Sequence, residues 1–256
     1  MRIKRITTGV AAATLALLPL TAAAADETAQ VVVVHGVPGL EVDVLVDGEA
    51  AITEFEFGDV VVTDLPAGSY TLAVAATGTT QAVLTLEATL TAGTSVTVAA
   101  YLDTNGDPKL AAFANETGAT GIQPFHLANF GEVDILVGTD AVLEGVANGV
   151  TARIDVDGGT TVEAVGIGAA GTGVAAIELG DVTVPAGKLV LAFAIGPDTD
   201  EDLPTVVVEV IDVITVEEIP SGTGGQAAML PLLVLSLALA GTILLVAPRR
   251  ATRVEA

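Results

Sequence analysis

Between positions 26 and 212, apolar and polar residues follow a period of two or give way to unbroken β-branched runs. Val31–Val34, Val42-Asp43-Val44-Leu45-Val46, Tyr70-Thr71-Leu72-Ala73-Val74 and Ser95-Val96-Thr97-Val98 are examples. Such segments read as strands, because β-branched side chains suit a pleated surface and successive residues face opposite ways. Val37-Pro38-Gly39, Asp47-Gly48, Pro66-Ala67-Gly68, Thr77-Gly78 and Ala92-Gly93 punctuate them as turns. Many short strands with regular Gly and Pro breaks predict an all-β antiparallel sandwich or barrel. No amphipathic helix reads out of this stretch, and residues 139–145 suffice for one turn.

Both ends depart from that pattern. Arg2, Lys4 and Arg5 precede an apolar run from Val10 to Leu20 and the small residues Ala22–Ala25, which predicts a signal peptide over 1–25. Ala227–Ala247 is 21 residues without a charge, long enough to cross a bilayer as a helix. Arg249, Arg250 and Arg253 follow in the tail 248–256. Under the positive-inside rule these arginines stay cytoplasmic and the body lies outside, a single-pass arrangement in the cell membrane. Residues 215–226, with Glu217, Glu218, Pro220 and several glycines, read as a flexible linker.

The body repeats. His35 aligns with His126, Val42–Val46 with Val133–Val137, Gly58 with Gly149 and Gly68 with Gly159, all at an offset of 91; Ala92-Gly93 meets Ala186-Gly187 at 94. The pattern predicts two tandem β-sandwich domains, 26–117 and a degenerate copy at 118–214, with the joint near Asn115–Ile122.

Composition narrows the chemistry. The 256 residues include no Cys, which excludes disulfide scaffolds, thiol nucleophiles and iron–sulfur clusters, and only two His. The formal charge of −23 argues against nucleic acid, whose phosphates need a basic surface. Without the leader and tail, Lys109, Arg153 and Lys188 stand against 31 acids, a net charge near −28. So acidic a body stays hydrated, attracts cations and suits high salt.

The segment Val31-Val32-Val33-Val34-His35-Gly36-Val37-Pro38-Gly39-Leu40-Glu41-Val42-Asp43-Val44-Leu45-Val46-Asp47-Gly48, followed by Phe57-Gly58 and Leu65-Pro66-Ala67-Gly68-Ser69-Tyr70, resembles the extracytoplasmic domain-of-unknown-function family 4397. The resemblance covers about 80 residues of the first copy; in the second, Asn129-Phe130-Gly131 replaces the Pro-containing turn. It implies immunoglobulin-like β-sandwiches, often in tandem, on bacterial surface proteins, and it implies no catalytic residues. The C-terminal Ile219-Pro220-Ser221-Gly222-Thr223-Gly224 before the apolar span is similar to a cell-wall sorting signal. Ile stands where that motif has Leu, and one extra residue precedes Thr223-Gly224. Covalent attachment to the wall is thus the alternative to plain membrane anchoring.

Four groups of residues are candidate sites. His35 and Asp43, with His126 and Asp134 at the matching places, read as structural latches that hold loops; as catalytic dyads they lack a nucleophile in a Gly-x-Ser-x-Gly elbow. Asp103, Asn105 and Asp107 have the opening spacing of a calcium loop, but Pro108 and Ala114 stand where that loop needs Gly and Glu, and Asn105-Gly106 is itself a hairpin signal. Asp198, Asp200 and Asp202 form a dense acidic loop that could collect a divalent cation. Gly166–Gly168 and Gly171–Gly173 do not open a helix, so no nucleotide fingerprint is present.

The sequence therefore predicts an exported, non-enzymatic structural or adhesive module, displayed at a bacterial cell surface and anchored by its C-terminal helix. Its partners would be the membrane and an extracellular or cell-wall ligand, with no cofactor beyond a calcium candidate. A divalent-cation-dependent envelope protein is the alternative.

Overall fold

The computed structural model describes residues 28–197 and 204–214, all of them in a single compact unit. The expected signal peptide, linker, membrane helix and basic tail, and the loop carrying Asp198, Asp200 and Asp202, lie outside the described residues.

The described chain is all-β. The first repeat supplies β1 (Thr28–His35), β2 (Val42–Val46), β3 (Glu49–Phe55), β4 (Val60–Pro66), β5 (Gly68–Ala76), β6 (Ala82–Leu90), β7 (Ser95–Leu102) and β8 (Pro108–Ala114). The second supplies β9 (Gly121–Asn129), β10 (Val133–Val137), β11 (Asp140–Val146), β12 (Val150–Thr151), β13 (Ile154–Asp155), β14 (Thr160–Ala169), β15 (Ile177–Val184), β16 (Lys188–Pro197) and β17 (Thr205–Asp212).

Each repeat builds two sheets in one order. β4-β1-β7-β8 and β3-β2-β5-β6 form the first lobe; β12-β9-β16-β17, with β13 also on β9, and β11-β10-β14-β15 form the second. Two pairs depart from the antiparallel expectation, since β1 runs parallel to β7 and β9 parallel to β16. Hairpin neighbours are held antiparallel by their turn. These two pairs are distant in sequence, so no turn sets their direction. The first strand lies between the fourth and the seventh, whereas an immunoglobulin constant domain sets its first strand beside its second.

Burial explains the unbroken valine run. On β1, Val31 and Val33 join Val44, Phe55, Leu72 and Val98 in a core between the two sheets of the first lobe. Val32 and Val34 point the other way and pack with Phe125, Leu127, Leu191, Phe193 and Ile195 of the second lobe. β1 is therefore buried on both faces, which a strand of alternating polarity could not tolerate. β7 divides likewise, with Val98 and Ala100 inward and Ala99 and Tyr101 across the seam. The sheets stack as outer, inner, inner, outer, and the inner pair shares one core.

Phe125 and Phe193 lie 4.7 Å apart by ring centroid at the middle of this seam, and Phe113 meets Phe125 edge-on at 5.8 Å. Each large side chain so buried contributes roughly 1.5–3 kcal/mol. Close approach also needs a missing side chain, because a Cβ on Gly36 would sit 2.9 Å from Ile195 Cγ2.

Candidate functional site

The two aspartates sit at the second residue of β2 and β10, among otherwise apolar neighbours, and each is about 5% exposed or less. A buried carboxylate must find donors. Asp43 Oδ1 accepts from the Glu54 N–H at 3.1 Å, and Oδ2 from the Gly78 N–H at 2.9 Å. Asp134 repeats the arrangement with Gly145 at 2.8 Å and Gly171 at 2.7 Å. Each carboxylate thus clamps a bulge in the neighbouring edge strand to the turn that follows the next strand. The bulge residue takes a left-handed conformation, φ +55° at Glu54 and +62° at Gly145.

The histidines hold different loops. His35 Nε2 lies 2.9 Å from the Leu40 carbonyl, and His126 Nε2 lies 2.8 Å from the Gly131 carbonyl, so each ring pins the loop that follows its own strand. The Nδ1 atoms of both are buried without a hydrogen-bond partner. With Nε2 on a carbonyl and Nδ1 unpartnered, no His–Asp bond forms in either lobe. The histidines end inner-sheet strands while the aspartates sit on outer-sheet strands, so the expected pair resolves into two independent latches per lobe. His35 also stacks on Phe55, with centroids 5.8 Å apart. Burial pushes the His126 pKa down, against the carbonyls of Gly131 and Phe130, which favour the charged ring.

Asp103, Asn105 and Asp107 close the β7–β8 hairpin. Asp103 Oδ1 accepts from the N–H groups of Asn105 at 2.8 Å and Asp107 at 3.0 Å, and Oδ2 lies 3.2 Å from Lys109 Nζ. Desolvation works against the charged form. The N–H groups of Asp107 and Asn105 and the Lys109 ammonium outweigh it and hold the Asp103 carboxyl below its usual range. Its oxygens thus serve the turn itself, as the hairpin reading of Asn105-Gly106 expects. Among the described residues, no three His, Asp or Glu side chains gather in a metal-binding cluster.

The basic residues among the described ones are also engaged. Lys188 Nζ lies 2.6 Å from Asp212, and Arg153 Nε lies 3.0 Å from Asp155. Arg153 also donates to the carbonyls of Glu116 at 2.5 Å and Thr120 at 2.9 Å, clasping the joint between the repeats.

Polar bonds at both ends of the seam escaped the sequence reading, those of Gln123 and Asn115 at the start of β9 and β7 and that of Asn148 at their far ends. Gln123 is fully buried; its Oε1 accepts from the Glu116 N–H, and its Nε2 donates to the Ala114 carbonyl and Thr151 Oγ1. Asn115 donates to Ser95 Oγ at 2.9 Å and accepts from Thr97 Oγ1 at 2.7 Å. Asn148 of the second lobe donates to the Leu102 carbonyl of the first at 3.0 Å. One signal was available: Gln123 interrupts an otherwise apolar strand, and a polar residue there must either face water or be fully bonded.

Asp43, Asp134, His35, His126 and Asp103 thus each end on backbone groups of a loop or turn, and Asp103 also on Lys109. Residues 29–135 match the model of a family described as a domain of unknown function, DUF4397. The matched stretch takes in the whole first lobe from Ala29 and continues through both histidines and both clamping aspartates. No curated protein matches the chain.

Proposed function

We propose that the protein is an exported structural or adhesive module of a bacterial envelope, without catalytic activity. Its β-sandwich body is displayed outside the cell and held by the apolar helix expected at 227–247. The observation that carries this reading is the engagement of the polar candidates: Asp43, Asp134, His35, His126 and Asp103 each bond loop or turn backbone. Groups so engaged stiffen a scaffold and are poor acids, bases or ligands for a substrate. The seam supports it too, because a core shared by both lobes makes a rigid spacer. The strongly acidic composition suits a hydrated outer surface.

The test is topological. The full chain, with one epitope in the Asn105-Gly106 turn and another after Ala256, is expressed in a bacterial host, and intact cells are treated with protease. Display predicts that the turn epitope is accessible to antibody and lost on shaving, while the C-terminal epitope stays protected in the membrane fraction. Recovery of both epitopes in the soluble cytoplasmic fraction would overturn the reading.

A further inference from the structure

We infer that the first lobe contains a binding site for a small, uncharged apolar molecule, about the size of one aromatic ring, and that the second lobe has closed its copy of that site. Between the two sheets of the first lobe lies a cavity of about 160 Å³, lined by Val31, Val44, Ile52, Val61, Leu65 and Leu72 among others. Thr63 is the one hydroxyl on its wall. Its outer wall comes from β3 and β4, the edge strands on one side of the sandwich; on the other side β6 lies against β8. Ala51 of β3 and Thr63 of β4 are exposed and stand at the mouth.

The duplication supplies an internal comparison. The β2–β3 register places Ile52 opposite Val44, and the β10–β11 register places Leu143 opposite Ile135, so Ala51 corresponds to Val142. Val31 pairs with Thr63 and Ile122 with Ile154, so Thr63 corresponds to Ile154. Both mouth residues are larger and wholly aliphatic in the second lobe, where the space is about 40 Å³. A dry apolar cavity of ~150 Å³ accepts benzene or xenon, because no water inside offsets the contacts a guest gains. The wall is largely apolar and carries no charged side chain, only the Thr63 hydroxyl, so nothing would neutralise a buried charge and charged guests are excluded.

The full chain is placed in lipid nanodiscs with its Ile, Leu and Val methyl groups labelled, and benzene is titrated while methyl resonances are followed. Binding predicts saturable shifts at Ile52, Leu65 and Leu72, with Leu143 and Ile154 of the second lobe reporting only non-saturable partitioning. The double variant Ala51→Val, Thr63→Ile transplants the second lobe's mouth. It should lose the saturable response at least tenfold while its second-lobe methyl spectrum is unchanged. If that variant fails to fold, Ala51→Val alone, at an exposed position, gives the same comparison. A linear response in the unsubstituted protein, equal saturation in both lobes, or an undiminished response in the variant that folds would each overturn the inference.

Discussion

The Asp43 carboxylate accepts the Gly78 N–H at 2.9 Å and so ties the second strand of the first lobe to a turn 35 residues away. Its other oxygen holds Glu54, and Asp134 does the same for Gly171 and Gly145. Hydrogen bonds to a charged acceptor contribute about 1.5–3 kcal/mol each, less whatever neighbouring groups recover by relaxing. Asp43→Ala should therefore lower unfolding free energy by roughly 3 kcal/mol. Asp43→Asn, which keeps one acceptor, should lose about half as much. Urea titrations of the three proteins measure this, and an Asp43→Ala midpoint equal to wild type would refute the clamp.

The two lobes solve the bulge differently, with a strained Glu54 in one and Gly145 in the other. A left-handed conformation costs a residue with a Cβ about 1–2 kcal/mol, while glycine loses about 0.5–1 kcal/mol of extra chain entropy on folding. The first effect is larger. Glu54→Gly should therefore stabilise the protein by up to about 1 kcal/mol, and Gly145→Ala should destabilise it by a similar amount. Opposite shifts in melting temperature are the expected result.

Acid should act through His126. Its ring is buried, and the cost of desolvating a charged imidazole there outweighs the Gly131 and Phe130 carbonyls that favour it. Because burial lowers its folded pKa below 6.5, the unfolded chain protonates first as the pH falls. Stability from the neutral ring is complete above about pH 6.5 and is lost as the pH drops from there through the folded value. Urea midpoints recorded from neutral down to about pH 5 should fall more steeply for wild type than for His126→Gln.

Truncating the seam should weaken both lobes at once. Phe193 is fully buried against residues of the other repeat, and Phe193→Ala should cost about 3–5 kcal/mol. Backbone amide exchange should accelerate in β1 and β7 as well as in β9 and β16. Acceleration limited to the second lobe would mean that the lobes unfold separately.

Calcium should do little that salt does not. Asp103 is committed to its turn and to Lys109, so millimolar calcium should raise the melting temperature no further than sodium chloride of equal ionic strength. A calcium-specific rise would favour a cation-dependent role, centred on the loop of Asp198, Asp200 and Asp202.

The strands and the recurrence of their order were legible because period-two patterning and matched Asp and His positions are local signals. Asp47-Gly48 and Asn105-Gly106 likewise announced their hairpins through backbone chemistry. The parallel pairing of β1 with β7 was not legible, since no turn encodes a contact between strands some 60 residues apart. Nor was the seam. The run Val31–Val34 says that a strand is buried on both faces but not what covers the second face. The latch aspartates were visible as polar residues inside apolar strands. Their partners are backbone N–H groups, which every residue but proline carries and which leave no mark in sequence.

The shared core has a consequence for how such a chain can change over generations. Duplication usually leaves a spare part that can drift or be deleted. Here, losing either repeat would turn Val32 and Val34, or Phe125 and Phe193, out to water on a β-sheet face, and such faces aggregate. Each half has become the solvent shield of the other. A lineage carrying this arrangement can lengthen its turns or rewrite its outer sheets, but it cannot return to a single copy without first rebuilding an inner face.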